Sequence, residues 1–172
     1  RTHDYVRHGT TTLFAALEVA TGRVTGLCKN RHRHQEFLAF LRHVARAYPD
    51  QQLHVVMDNF AAHKRPEVKA WLKANPRIHV HFTPTSASWL NLVEVWFGII
   101  ERQAIRRGSF ASVRDLTGKI KAFITGWNDR PMGVLAASRQ AEQGFQLELA
   151  RRTRKTLGDQ LTVIDAADHR LL

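Results

Sequence analysis

The sequence predicts an α/β domain in which helices cover a mixed β-sheet. Its 172 residues are enough for one domain with a real hydrophobic core. Three observations support the prediction: an early hairpin pattern, a region where helical and strand patterns alternate, and two further helical patterns after it. In chain order the patterns are hairpin, helix, strand, helix, strand, helix and helix. Helices alternate with strands only after the hairpin, which is why we expect the sheet to be mixed.

The first half of the chain supplies the hairpin and the alternating region. Residues 10–28 are rich in Thr, Val, Leu and Phe, and Thr21 and Gly22 interrupt them, which predicts a β-hairpin. The next predicted elements are a helix, a strand, a helix and a strand, at residues 34–48, 52–59, 64–75 and 77–84. Apolar side chains recur at helical spacing in the first of these helices. The first of these strands is short, apolar and β-branched, as a buried strand should be.

Two more helices are predicted in the second half. Residues 86–108 read as a long helix, and Gly108 lies where a helix commonly stops. Residues 112–129 begin with Ser112 and Asp115, a capping-box pattern, and continue with an apolar stripe at helical spacing.

The balance of charge favours a polyanionic partner. The chain has 26 Lys and Arg against 15 Asp and Glu, a net charge of +11, and the simplest partner for such a surplus is nucleic acid. Residues 1–131 hold 20 of the basic and 10 of the acidic residues, so the surplus belongs to this part. No apolar run could span a bilayer and no signal peptide is recognised, so we expect no membrane partner and a cytoplasmic protein. The single Cys28 excludes an internal disulfide.

Two carboxylates are placed to act together. Asp58 ends one predicted strand, and Glu94 lies early in the helix that follows the next strand. If the two strands are adjacent and parallel, both residues come to one edge of the sheet, where open α/β sheets bind ligands. Converging carboxylates suit Mg²⁺, which prefers hard oxygen ligands. Two such ions can activate the attacking oxygen and stabilise the leaving oxygen in phosphodiester chemistry.

These motifs resemble those of a known family. The chain reads "VVMDNFAAHK" and then "VHFTPTSASWLNLVEVWFGIIER", with 35 residues between Asp58 and Glu94. This resembles the DDE transposases of the mariner-like superfamily, in their bacterial insertion-sequence branch. The matching residues are Asp58, Asn59, His63, Thr83, Pro84, Ser88, Leu90, Asn91, Glu94 and Trp96. A hairpin pattern before them and "WNDRP" after them match as well, so the resemblance covers residues 1–131.

The resemblance implies a fold, a reaction and a site. The fold is RNase H-like, and the reaction is metal-dependent DNA cleavage and strand transfer at transposon ends, with Mg²⁺ or Mn²⁺ as cofactor. Asp58 and Glu94 are then catalytic metal ligands, and Asn59, His63 and Asn91 support them.

The chain departs from the family pattern at both ends. The family has a third carboxylate, an Asp on a first strand before the hairpin, and that strand is missing from the pattern here. Asp4, the only acidic residue ahead of the hairpin, lies in a polar stretch that does not resemble a core strand. We therefore expect two exposed strand edges, poor stability and no nuclease activity from this chain. Residues 1–131 are taken as a partial catalytic core, and residues 132–172 as a divergent tail that we expect to be helical.

Each candidate residue has a simpler explanation. Asp58 could cap the next helix, Glu94 could be a solvated helix residue, and His63 could be an exposed one. The basic candidates for binding DNA phosphate are Lys64, Arg65, Arg102, Arg106 and Arg107. The first two could equally be a solvated helix start, and the arginines could complement the negative end of their helix. Two histidine pairs have zinc-like spacing, at His32 and His34 and at His79 and His81, but no further Cys or His completes a four-ligand set, so surface histidines are favoured.

The function predicted from these observations is that of a transposase catalytic domain acting on DNA, with a homodimer as a possible assembly. One alternative is another RNase H-like nuclease or integrase. A second, of a different class, is a non-catalytic remnant that only binds DNA or a protein partner.

Overall fold

A computed structural model describes residues 9–57, 64–82, 92–106, 108–129 and 161–171 of the chain. The strands are β1 (Thr11–Glu18), β2 (Val24–Lys29), β3 (Gln52–Met57), β4 (Ile78–Phe82) and β5 (Leu161–Leu171). The helices are α1 (His34–Ala47), α2 (Pro66–Ala74), α3 (Leu92–Ile100) and α4 (Val113–Asn128), and a π-helical turn, Glu101–Ile105, continues α3. The predicted hairpin, helices and strands are confirmed as far as the described residues reach. None of the described helices is long and apolar enough to cross a bilayer.

All five strands form one mixed sheet. Their order is β2-β1-β5-β3-β4. β1 is antiparallel to both β2 and β5, whereas β3 is parallel to both β5 and β4. The hairpin therefore forms one half of the sheet and the β3–β4 pair forms the other half.

The hairpin turns at Gly22, whose φ of 73° is a conformation that side chains with a Cβ rarely adopt. Two backbone hydrogen bonds close the turn, each 2.8 Å long: the Gly22 amide donates to the carbonyl of Glu18, and the Glu18 amide donates to the carbonyl of Arg23. These bonds fix the register of β1 against β2, as the interrupted run in the sequence predicts.

The side chains of β1 point alternately to the two faces of the sheet, so the strand contributes to a hydrophobic core on each face. Leu13, Ala15 and Leu17 pack with α3 and α4, whereas Phe14 and Ala16 pack with α1 and α2. All five side chains are at most 1% exposed. The domain is thus a sheet with a pair of helices on each face, the layered α/β arrangement that the sequence predicts.

Polar side chains attach the helices to the sheet at their ends. Arg77, at the start of β4, donates hydrogen bonds to the carbonyls of Ala45, Tyr48 and Gln51, and so satisfies acceptors at the end of α1. At the end of α4, the Asn128 side chain exchanges two 2.8 Å hydrogen bonds with the backbone of Val24 in β2.

The start of α4 confirms the predicted cap. The Ser112 hydroxyl accepts a hydrogen bond from the backbone amide of Asp115 at 3.1 Å. Further along, Ile124 of α4 lies so close to Gly26 of β2 that a side chain at Gly26 would collide with it. The helix therefore packs directly on the hairpin backbone.

The position of the C-terminal segment corrects two expectations. Residues 161–171 were expected to be helical, but they form β5, because their β-branched and apolar side chains suit a strand between two others. The gap expected between the hairpin and β3 is filled by this strand, so β1 and β3 have no exposed edges there. Residues 131–160 lie outside the described part of the chain, and the proposed boundary after Pro131 stays a prediction.

We predict that the packing of β5 contributes strongly to stability. Leu171 is 3% exposed and lies in the core on the α3 and α4 side. Leu171→Ala should lower the free energy of unfolding by about 2–5 kcal/mol, because it removes buried methyl groups and leaves a cavity. Arg170→Ala, at the neighbouring exposed position, should change it by no more than about 0.5 kcal/mol. Urea denaturation measures both, and equal effects of the two variants would contradict the position of β5.

Candidate active site at the carboxyl edge of the sheet

The carboxyl ends of three strands point to one edge of the sheet, because β3, β4 and β5 are parallel. β3 and β4 end level with each other, at Met57 and Phe82, whereas β5 continues past its last β3 partner and pairs with the start of β1. β3 ends at Met57, and the next residue in the sequence is Asp58. The predicted neighbouring, parallel arrangement of β3 and β4 is confirmed, and their ends form the kind of crevice where α/β sheets bind ligands.

Helix α3 lies over this part of the sheet. Val93, Trp96 and Ile100 are fully buried in the same core as Val56 of β3. The ring of Phe97 stacks on the ring of His169 of β5, with their centroids 5.3 Å apart. The helix is therefore held by apolar and aromatic contacts to both β3 and β5.

Glu94 lies on this helix, in its first turn, one turn before Phe97. It is exposed, whereas the adjacent Val93 is buried. An acidic side chain in a first turn also interacts favourably with the positive end of the helix, so the simpler explanation of Glu94 keeps physical support. The prediction that Glu94 lies early in the helix after β4 is confirmed.

The donor chemistry at this edge fits a hard divalent cation in part. An exposed carboxylate on α3 and the Asp that follows β3 are oxygen donors of the kind that Mg²⁺ prefers. Within the described residues no group of three His, Cys, Asp or Glu side chains could hold a metal ion. A complete site therefore needs at least one residue from outside them, and the roles of Asp58 and Glu94 as metal ligands stay predictions.

Several predicted site residues lie outside the part of the chain that the structure describes. These are Asp4, Asp58, Asn59, His63, Asn91 and Arg107. The predicted approach of the Asp58 and Glu94 carboxylates stays a prediction for the same reason.

Lys64 and Arg65 are both exposed and stand at the start of α2. The ammonium nitrogen of Lys64 lies 5.6 Å from the ring centroid of Phe82, the last residue of β4. Phe82 is 41% exposed, which is unusual for so large an apolar side chain among the residues that the structure describes. This contact brings a positive charge to the carboxyl edge of the sheet.

Arg102 and Arg106 lie at the other end of α3, on its π-helical continuation, and both are exposed. The Arg106 guanidinium is 3.5 Å from the carboxylate of Glu101. Both arginines stand near a helix end whose carbonyls carry partial negative charge, so the simpler explanation applies to them as well as phosphate binding does.

The histidines form a cluster that the sequence did not predict. His54 of β3 lies opposite His79 in the register, and its Nδ1 is 2.9 Å from Nε2 of His81. The His54 ring is 4.8 Å and 5.0 Å from the rings of His79 and His81. Burial, then the neighbouring His81 and His79, lowers the pKa of His54 to about 4. Burial, then His79, also lowers the pKa of His81.

The two histidine pairs with zinc-like spacing make different contacts. His79 and His81 both lie against the His54 ring, whereas His34 Nε2 lies 3.7 Å from Glu67 and the His32 ring is 5.8 Å from that of Phe14. His32 and His79 are exposed, as expected for surface histidines, and His34 and His81 are half-buried. The cluster of His54, His79 and His81 could not be predicted, because it depends on how β3 pairs with β4, and local sequence patterns do not reveal that register.

Comparison with known proteins decides the family. The family model described as "DDE superfamily endonuclease" matches residues 1–117. The chain belongs to this family. The predicted resemblance to DDE transposases is therefore confirmed, and the matched residues include both Asp58 and Glu94. β5 lies beyond the segment that the family model matches.

One relative gives the biological setting of a similar protein. It is the "Insertion element IS630 uncharacterized 39 kDa protein" of Shigella sonnei, which is 27% identical to this chain over 122 residues. The alignment covers 70% of the present chain and 36% of the relative. The chain therefore spans about a third of the length of the relative it matches.

We predict that the histidine cluster makes the fold sensitive to acid. An unfolded His54 binds a proton near its ordinary pKa of 6.5, whereas the folded one binds it only near about 4. The unfolded state therefore holds more protons in this window, and stability should fall as the pH falls from about 6.5 to about 4.

His54→Gln should flatten this part of the pH profile, measured as the midpoint of urea unfolding at a series of pH values. The matched control is His34→Gln, outside the cluster at the start of α1, which should keep the wild-type profile. An unchanged profile in His54→Gln would show that the cluster is not the cause.

Proposed function

We propose that this chain carries the catalytic core of an insertion-element transposase, which cuts and joins DNA at the ends of its element with a divalent metal. The observation that carries the proposal is the family match over residues 1–117, in which Asp58 follows β3 and Glu94 lies on the helix over the carboxyl edge. The insertion-element name of the relative from Shigella sonnei supports the choice of a transposase over another nuclease or integrase.

In this proposal Asp58 and Glu94 hold Mg²⁺ or Mn²⁺, with Asn59, His63 and Asn91 in support. When bound, the metal polarises the scissile phosphodiester and lowers the pKa of the attacking water or hydroxyl. The protein contributes rigid placement. Glu94 stands on a helix whose buried face is locked against β3 and β5, so its carboxylate is presented from a stiff element.

Positive charge is proposed to hold the DNA beside these carboxylates. The chain has a net charge of +11, and Lys64 stands at the carboxyl edge against Phe82. Lys64 and Arg65 would contact the DNA backbone on one side of the site. Arg102, Arg106 and Arg107 would contact it on the other side, beyond the end of α3. Phosphate contacts of this kind provide affinity and register but no sequence preference.

The finer fold assignment also belongs to this proposal. An RNase H-like sheet has a central strand flanked by a hairpin on one side and by the strand of the second catalytic Asp on the other. The order β2-β1-β5-β3-β4 supports this assignment, with β5 in the central position. A homodimer and a nucleoid-associated, cytoplasmic location are parts of the same proposal.

The decisive experiment is a nicking assay on supercoiled DNA with Mg²⁺, Mn²⁺ or chelator. The expected lack of activity rested on a gap in the sheet that β5 fills, so the wild-type chain is now expected to cleave with either ion. Cleavage should fall by at least about a hundredfold in Asp58→Asn and Glu94→Gln, because each loses a carboxylate worth several kcal/mol to the transition state. The matched control is Glu67→Gln, an exposed acid on α2, which should cleave like the wild type. If the wild type and all three variants bind DNA but none of them cleaves it in the presence of metal, the non-catalytic alternative would be favoured.

DNA binding should weaken steeply with salt, because neutralised phosphates release counterions. Arg106→Ala should reduce the slope of log affinity against log salt by about 1 if Arg106 contacts one phosphate. The control is Arg46→Ala, which changes an exposed arginine of α1 on the opposite face of the sheet. Fluorescence anisotropy with a short duplex gives both slopes. A wild-type slope near zero would contradict a phosphate-binding surface.

A further inference from the structure

We propose that Asp165, on the C-terminal strand β5, supplies the third carboxylate of the metal site. This inference rests on the proposed function above. The carboxylate would then enter the site from the end of the described sequence, after the elements that carry Asp58 and Glu94, and not from a strand before the hairpin.

The register of β5 places Asp165 beside the end of β3. Asp165 pairs with Val56 of β3 on one side and with Leu17 of β1 on the other. The next pair joins Ala166 to Met57, the last residue of β3. From strand spacing and rise, the Cα of Asp165 is roughly 6 Å from that of Met57. Met57 is the residue immediately before Asp58 in the sequence.

The same position lies beneath the helix that carries Glu94. Val56, the register partner of Asp165, is buried in one cluster with Val93 and Trp96 of α3. Phe97 of α3 stacks on His169, further along β5. Contacts at both ends thus hold α3 over β3 and β5, and Glu94 directly follows Val93.

The sequence of β5 is unusual for a central strand. Asp is depleted in strands, and here it stands where backbone is paired on both sides. The run "LTVID" that ends at Asp165 also matches "HVVMD", which ends at Asp58, on a parallel neighbouring strand.

Asp168 provides a control on the same strand. The pairing between β5 and β3 ends at Ala166, so Asp168 is paired only with Phe14 of β1. It has the same side-chain chemistry three residues further along, but it lies past the last β3 partner.

The first test measures metal binding without DNA. Mn²⁺ is titrated into the full chain and free Mn²⁺ is followed by electron paramagnetic resonance. Asp165→Asn should weaken binding by at least about tenfold, since even residues that only support a metal ligand typically contribute that much. Asp58→Asn and Glu94→Gln should do the same, and Asp168→Asn should stay within about twofold of the wild type. Circular dichroism melting checks that each variant folds.

The second test keeps the proposal falsifiable if Asp165→Asn does not fold. Fe²⁺ with ascorbate and peroxide, added to the wild type, cuts the backbone near the bound ion. Cuts close to residues 58, 94 and 165, suppressed by excess Mg²⁺, are expected. Cuts at the first two positions without one near 165 would overturn the role of Asp165 and leave the proposed function standing. Wild-type Mn²⁺ affinity in all four variants would overturn both.

Discussion

The backbone pairing of β5 is the interaction on which the rest of the structure depends. β1 and β2 form one half of the sheet and β3 and β4 the other, and β5 is hydrogen-bonded to both halves along most of their length. Unpaired amides and carbonyls along β1 and β3 would otherwise face each other across a gap, at a cost comparable to many lost hydrogen bonds. The side chains of β5 also join the cores, with Ala166 on one face and Leu171 on the other.

Closing the sheet also fixes the helix that matters for chemistry. α3 is held by aromatic contacts: Trp96 lies 6.3 Å and 6.4 Å from the rings of Phe123 and Trp127 of α4, and Phe97 stacks on His169. Two of the three contacts come from α4, which is itself bonded to the hairpin through Asn128. A polar side chain on the exposed face of α3, such as Glu94, is therefore carried by a helix that the rest of the domain holds in place.

Local sequence patterns predicted most elements of this fold. The hairpin, α1, β3, α2, β4 and α4 were predicted because period and caps act over a few residues, as with Ser112 and the turn at Gly22. β5 was missed although "LTVID" resembles the sequence of β3. Its neighbouring strands lie more than a hundred residues away in the sequence, and no local pattern identifies them. His54 was missed for a related reason: its contact with His81 depends on the register of two strands. At the proposed site, Glu94 was predicted from its position after the second strand pattern. Asp165 could be proposed only once the strand order placed β5 beside β3.

The positive charge of the chain has opposite effects on the proposed carboxylates and on the metal ion that they would bind. A chain with a net charge of +11 keeps carboxylates ionised, but the same positive field disfavours a second cation between them. In the proposed site, bound DNA would relieve this conflict, because its phosphates would neutralise Lys64 and its neighbours and add oxygen donors of the kind that Mg²⁺ prefers. On this argument a small number of protein carboxylates is an advantage: the site would hold its metal weakly until the substrate completes it, and metal chemistry would be confined to bound DNA.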